Sequence, residues 1–506
     1  MNADKTNIVL GPPGTGKTTY LLGELDKVLN QFAPQSVAFI SFTKKAANEA
    51  LERAMERFDL HEEELPFFST MHSLAFRELK LKRNNVMNAR DYFEVASRAG
   101  VGISFETFDD FGRPQGYQKG NALLNVVSVS KIRQKPLQQA WEDDGDDCII
   151  FEEVEDFNQI LEEYKKEKTK VDFDDMIIRF NQRDISPFIQ VLFIDEAQDL
   201  SSIQWDMARV LGRRTQVNYV AGDDDQSIFE WAGADVNQFI DLQGKVKVLD
   251  RSWRVPAKIK DLSQNIVEKI SKRREKEWVP VNEVGEGNIE FINRLDEILP
   301  LLYKGSWLML ARTNGMLPPY EELCHQAGVF YRYAHKSKDF KEIILAVQDW
   351  IKLQEGKIIT ANRAKNIYNF MTNAEGVVHG SKKKLNALDD REILSMEKLK
   401  EDFGLMYYNK DWDEALERIS EDDKIYVKKA IKTDNISSPR ITISTIHGAK
   451  GGEADNVILM SDMGYKAFSA MALSEDMEHR TWYVGVTRTK NNLYILEPET
   501  QYSYEL

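Results

Sequence analysis

The sequence predicts an α/β protein built on two parallel sheets, each carrying a mainly helical insertion. Three observations predict it. The octapeptide Gly11-Pro12-Pro13-Gly14-Thr15-Gly16-Lys17-Thr18 stands directly after the apolar run Asn7-Ile8-Val9-Leu10 and before the helical stretch Thr19 to Leu25. Short Val/Ile/Leu runs recur in two clusters, at Val37–Ser41, Val191–Ile194 and Val217–Ala221, then at Trp307–Ala311, Ile441–Ser444, Val457–Met460 and Leu493–Leu496. Between and within these clusters, 76–170 and about 347–432 turn charged, helical and poor in strands.

The octapeptide fits G-x-x-x-x-G-K-[ST], in which small residues let backbone N–H groups curl around phosphate oxygens. Lys17 is then placed to reach the β- and γ-phosphates and Thr18 to hold Mg²⁺, and the strand before and helix after supply the context such a site needs. The continuous apolar runs, each followed by a turn, read as strands buried on both faces, and two clusters of them imply two sheets. The charged stretches, including Lys382-Lys383-Lys384, read as solvated helix faces.

A chain of 506 residues, 42% hydrophobic and 29% charged, exceeds a single core and reads as several globular domains. No apolar run approaches the ~20 residues of a membrane span and no signal-peptide pattern opens the chain, so an intracellular, cytoplasmic protein without a membrane partner is expected. Cys148 and Cys324 lack the spacing of a zinc site or a disulfide framework. A formal charge of −15 argues against a nucleic-acid partner only in bulk, since a basic and aromatic groove binds a single strand under an acidic exterior.

Val191-Leu192-Phe193-Ile194-Asp195-Glu196 is a strand ending in two acids, the arrangement that places one carboxylate on Mg²⁺ and the next on the attacking water. With the remaining segments, this resembles the superfamily 1A DNA helicases of the UvrD/Rep/PcrA type. Phe42–Ala47 resembles motif Ia, Ser69–Ser73 the TxHS segment, and Val171–Met176 the family's DFDDL. Gly222–Asp235 is similar to motif III, Leu249–Arg254 to motif IV, Arg312–Asn314 to motif IVa, Thr445–Glu453 to motif V, and Tyr483–Arg488 to motif VI. The matches keep the family's order along the chain.

The resemblance implies two RecA-like core domains, 1A at 1–75 and 171–262 and 2A at 263–346 and 438–506. Helical insertions 1B and a reduced 2B would occupy 76–170 and 347–437. It implies that Gly11 to Thr19 bind nucleotide, that Thr18 and Asp195 hold the metal, and that Glu196 is the general base. Gln226 would link the γ-phosphate and attacking water to a DNA-facing strand of motif III. Arg254 and Arg488, on the second core domain, resemble the two arginine fingers. Glu453 would accept from the ribose, and Trp253, where the family usually has Tyr, would stack on adenine. Phe42, Thr43, Lys45, Thr70, His72, Phe229, Trp231 and His447 are the candidate DNA contacts, with Trp231 on a loop beside Gly233.

Four departures qualify the pattern. Ten residues precede the octapeptide, so the upstream glutamine that usually reads adenine has no place among them and relaxed nucleotide selectivity is expected. Ala232 stands where an Arg is common, Gly452 where a Leu is usual, and the second insertion is about half the usual 2B. The implied activity is an ATP- and Mg²⁺-dependent single-stranded DNA translocase and helicase, 3′→5′ by resemblance, acting as a monomer at single-strand/duplex junctions with a replication or repair partner. The rival from another class is a DNA-stimulated ATPase that displaces proteins from DNA without extensive unwinding.

Overall fold

In the computed structural model the described residues are all of 1–506 except 42–43, 106, 109–113, 117, 147, 184–185, 335–339, 374, 434–438 and 473, with backbone alone at 44–46, 107–108, 114–115, 340–341 and 433. The chain forms two compact units. Met1–Gly285 with Leu473–Val484 make the first, and Glu286–Ala472 with Gly485–Leu506 the second.

The first unit is organised on a six-stranded sheet of β1 (Thr6–Leu10), β2 (Val37–Ser41), β3 (Phe67–Ser69), β4 (Val191–Asp195), β5 (Val217–Gly222) and β6 (Lys245–Val248). Their spatial order is β3-β2-β4-β5-β1-β6, and every pairing is parallel. Both faces are covered, as the continuous apolar runs require. Ile8, Leu10, Ala38, Ile40, Leu192 and Ile194 enter one core cluster, while Val9, Val37, Phe39, Val191 and Phe193 enter another on the opposite face. That split is the two-residue side-chain period of a strand. Helix α1 (Lys17–Leu29) packs through Leu21, Leu22, Leu25 and Val28, and α2 (Lys44–Phe58) and α3 (Met71–Glu78) follow β2 and β3. The first insertion has a core of its own, including Tyr92, Val127, Phe157 and Tyr164. It is tied to Asp172 and Asp175 by two lysines, Lys165 at 2.8 and 2.7 Å and Lys131 at 3.2 and 3.1 Å.

The second unit repeats the design with β7 (Asn288–Ile292), β8 (Trp307–Ala311), β9 (Tyr331–Tyr333), β10 (Ile441–Thr445), β11 (Ala454–Met460) and β12 (Thr489–Leu496), in the order β7-β12-β11-β8-β10-β9, all parallel. Here, among the described residues, the insertion shares its core with the sheet. Trp350, Tyr368, Leu399, Tyr426 and Val427 share one cluster with Trp307, Met309 and Ile443 of the sheet. The strands that the apolar runs do not announce, β3, β6, β7 and β9, are the edges of the two sheets. β6 reads Lys-Val-Lys-Val and is largely exposed, the lysine-bearing edge that discourages pairing with another chain. Cys148 is exposed and Cys324 buried, and neither is bonded.

Candidate nucleotide and nucleic-acid site

The octapeptide spans the turn from β1 to α1. Gly11 N–H donates to the Gly222 carbonyl at 3.0 Å, which anchors the turn on β5. Two positions there require glycine. A Cβ on Gly11 would lie 1.9 Å from Lys17 Cγ, and Gly14 has φ +72° with Arg254 Cβ only 2.4 Å from where its own Cβ would be. Pro12 accepts from the Thr15 hydroxyl at 2.7 Å, Pro13 accepts from Ser252 Oγ at 2.7 Å, and Gly16, with φ +77°, caps α1. Lys17 and Thr18 therefore open a helix whose first turn, through Thr19, presents unpaired amides to an anion. Lys17 Nζ reaches the Gly11 carbonyl at 3.2 Å and Glu196 Oε1 at 3.6 Å.

Asp195 ends β4, fully buried, and accepts from Thr18 Oγ1 at 2.9 Å. Burial, followed by the neighbouring Glu196 charge, pushes its carboxyl up to about 6. A buried carboxylate beside a hydroxyl, held against its own charge, is a donor set that fits a divalent cation. Glu196 lies in the left-handed region at φ 53°, a strained position for a residue with a side chain, and its carboxylate is 35% exposed.

Beyond β5 the chain is not the strand expected of motif III. Asp223 accepts from Asp225 N–H at 3.3 Å, which closes a single 3₁₀ turn over Asp224–Gln226, and a second such turn spans Glu230–Ala232, ended by Gly233 at φ 99°. Side-chain capping competes with strand pairing here. Gln226 is buried, and its amide donates to Asp223 Oδ2 at 2.7 Å. Trp231 is on the second turn rather than in a loop, 45% exposed, with Phe229 half-buried and edge-on at 6.3 Å.

Arg254 requires a correction. It belongs to the first unit, in the segment clamped to the phosphate loop by Ser252 and by Trp253 N–H, which donates to the Gly14 carbonyl at 2.9 Å. It stands beside the loop because β6 leads straight into that clamp. Trp253 is 64% exposed, so its ring is not a core side chain.

The second unit holds Glu453, His447 and Arg488. Glu453 pairs with Lys490 at 2.5 Å, and His447 begins a 3₁₀ turn after β10. Arg488 is 1% exposed and donates to the Gly452 carbonyl and to Thr487 Oγ1, both at 3.3 Å.

Comparison with known proteins decides the family. Residues 1–247 match the UvrD/REP helicase N-terminal domain and residues 144–499 the UvrD-like helicase C-terminal domain. The chain belongs to the UvrD-like helicase family. It is 24% identical to DNA helicase II of Rickettsia typhi over 98% of this chain and 90% of that protein. It is 25% identical to ATP-dependent DNA helicase PcrA of Bacillus subtilis over 96% of this chain and 80% of that protein. The match to PcrA of Leuconostoc citreum, 24% identical, covers 67% of this chain and 49% of that protein. By this membership the chain is a DNA-dependent ATPase and helicase, and its two six-stranded sheets are those of two RecA-like domains. Among the described residues, no helix is long and apolar enough to cross a membrane.

Of the candidate DNA contacts in this UvrD-like chain, Thr70 caps α3 by accepting from Ser73 N–H at 3.2 Å, and His72 packs edge-on against Phe173 at 5.6 Å. Phe42 and Thr43 lie outside the described residues, and Lys45 sits on α2. The contacts of three residues, Gln198, Arg480 and Arg133, escape the sequence reading. Gln198 is buried and its amide joins the two halves of the site, donating to Glu196 Oε2 at 2.7 Å and accepting from Asp223 N–H at 3.0 Å. Glu230, next to Trp231, accepts from Arg480 at 3.0 Å, and its carbonyl accepts from Arg133 at 2.7 Å. Arg480 lies on α4 (Glu475–Val486), the helix that leads into Arg488. The only signal for Gln198 is its place two residues after Glu196, and the Arg133 and Arg480 contacts leave none, because each spans a long stretch of chain.

Proposed function

We propose that the chain translocates 3′→5′ along single-stranded DNA, hydrolysing Mg-ATP at the phosphate loop, and separates strands at single-strand/duplex junctions as a monomer. In this reading Lys17 and Thr18 hold phosphate and metal, with Asp195 as the second metal ligand and Glu196 as general base. Trp253 stacks on the base and Glu453 meets the ribose. Mg²⁺, held by Thr18 and Asp195, would supply neutralising charge on the phosphates, while Lys17 and Gln198 orient Glu196 for proton removal. The insertions 1B and 2B are taken as 76–170 and 347–437.

The observation that supports coupling to DNA is the path from Glu196 through Gln198 to Asp223 and Ser227, whose hydroxyl donates to the Gln198 carbonyl at 3.0 Å. Trp231 follows Ser227 by four residues along the same segment. Forked duplexes carrying a 3′ or a 5′ single-stranded tail test the reading. Unwinding of the 3′-tailed fork alone is the expected result, and equal unwinding of both removes the polarity. The protein-displacing reading is favoured by the small size of the second insertion, about half the usual 2B. Displacement of a protein from single-stranded DNA without unwinding of either fork would select it.

Trp231→Ala is expected to spare ATP hydrolysis measured without DNA and the melting temperature, while raising the DNA concentration for half-stimulation. Stacking is worth ~1–3 kcal/mol per base, so the shift should be roughly fivefold to hundredfold. Loss of basal turnover together with a lower melting temperature would make Trp231 a packing residue instead.

A further inference from the structure

Asp223, Asp224 and Asp225 are all buried, and all three converge on one ammonium. Lys276 Nζ lies 3.1 Å from Asp223, 2.7 Å from Asp224 and 2.8 Å from Asp225, and its side chain is 0% exposed. Arg273 forks onto Asp225 at 2.9 and 2.6 Å, and Arg274 N–H donates to Asp224 at 2.6 Å. Buried ion clusters add little stability, because desolvation offsets their attraction, so a geometric role is the stronger reason for this one.

The geometry lies in Asp223. One of its oxygens faces Lys276 and the other accepts from the Gln226 amide at 2.7 Å. A carboxylate can only accept, so Gln226 must turn its NH₂ to Asp223 and direct its carbonyl oxygen away. Burial pushes the Asp223 carboxyl up, the Asp225 and Asp224 charges push the same way, and Lys276 is the largest influence opposing them. With that ammonium gone, a protonated Asp223 would donate, and the Gln226 amide would reverse.

We propose that Lys276 is a positioning residue for ATP hydrolysis, holding Asp223 as a pure acceptor so that Gln226 presents its carbonyl oxygen, as acceptor, to the hydrolytic water. The inference rests on the proposed role of Gln226 at the γ-phosphate. Asp224 and Asp225 share the ammonium and fix its place, and Arg273 acts on Asp225.

Steady-state ATP hydrolysis by the full chain at saturating single-stranded DNA, with a melting curve for each variant, tests it. Lys276→Met is expected to lower kcat at least tenfold with KM for ATP within about twofold of wild type. Arg273→Gln, which leaves Asp223 untouched, should lower the melting temperature but keep kcat within about twofold. Asp223→Asn carries the test if Lys276→Met does not fold. The ammonium takes the amide oxygen, the amide NH₂ then faces Gln226, and kcat should again fall at least tenfold. Combining the two substitutions frees that amide to turn, so the double variant should be no slower than either single one. An Asp223→Asn kcat within about twofold of wild type overturns the inference, as does a double variant that loses the product of both effects. A wild-type chain with no DNA-stimulated hydrolysis overturns the reading of the site itself, and the inference with it. Wild-type hydrolysis alongside a normal Asp223→Asn variant overturns the inference alone.

Discussion

Glu196→Gln is expected to lower DNA-stimulated ATP turnover by ~10²–10⁴ while leaving Mg-ATP affinity within about threefold of wild type. The amide keeps the shape of the carboxylate, and its oxygen still accepts from Gln198, 2.7 Å away in the native chain. What it loses is the capacity to take a proton from water. Affinity should survive because the phosphate contacts come from the turn of Gly11 to Thr18 and from Lys17, which meets Glu196 only at 3.6 Å. The strained backbone at Glu196 is retained by either side chain, so the melting curve should not move. Single-turnover hydrolysis beside a nucleotide-binding titration separates the two quantities. Turnover within about threefold of wild type would take Glu196 out of the role.

The residues legible in the sequence are those whose chemistry is local. Gly11, Gly14 and Lys17 act within one turn, and the pair Asp195-Glu196 ends one strand, so spacing along the chain carries their meaning. The buried strands were legible for the same reason, since a run such as Val191–Ile194 is apolar on both faces. Edge strands such as β6 were not, because a strand with a solvent face and alternating lysines has the composition of a surface loop. The turn at Asp224–Gln226 reads as part of a strand because its shape is set by Asp223 capping Asp225. Long-range placement was the main loss. Arg254 reads as a finger of the second domain until Ser252 and Trp253 are seen clamped to Pro13 and Gly14. Lys276 reads as one charge in a charged stretch, although its side chain is buried among three aspartates more than fifty positions upstream. The second stretch reads as a helical insertion in an α/β core, but that Trp350 and Tyr426 join the core of the sheet itself is not visible along the chain.

Arg488→Ala is expected to lower turnover by ~10³–10⁵ with a far smaller effect on ATP binding, the signature of a group that acts in the transition state. The resemblance of Tyr483–Arg488 to motif VI motivates the role. The Arg488 guanidinium is buried, and its contacts include the Gly452 carbonyl and Thr487 Oγ1, both at 3.3 Å. A purely structural arginine predicts otherwise: truncating so buried a side chain would leave a cavity and orphan the Gly452 carbonyl, lowering stability and ATP binding together. Arg488→Lys distinguishes the two, since it keeps charge and most of the volume but not the planar fork. The transition-state role predicts that Arg488→Lys melts as wild type does and recovers only part of the lost turnover. A lysine variant with full turnover, or an alanine variant whose ATP affinity falls as far as its turnover, would assign Arg488 to packing or to ground-state phosphate binding.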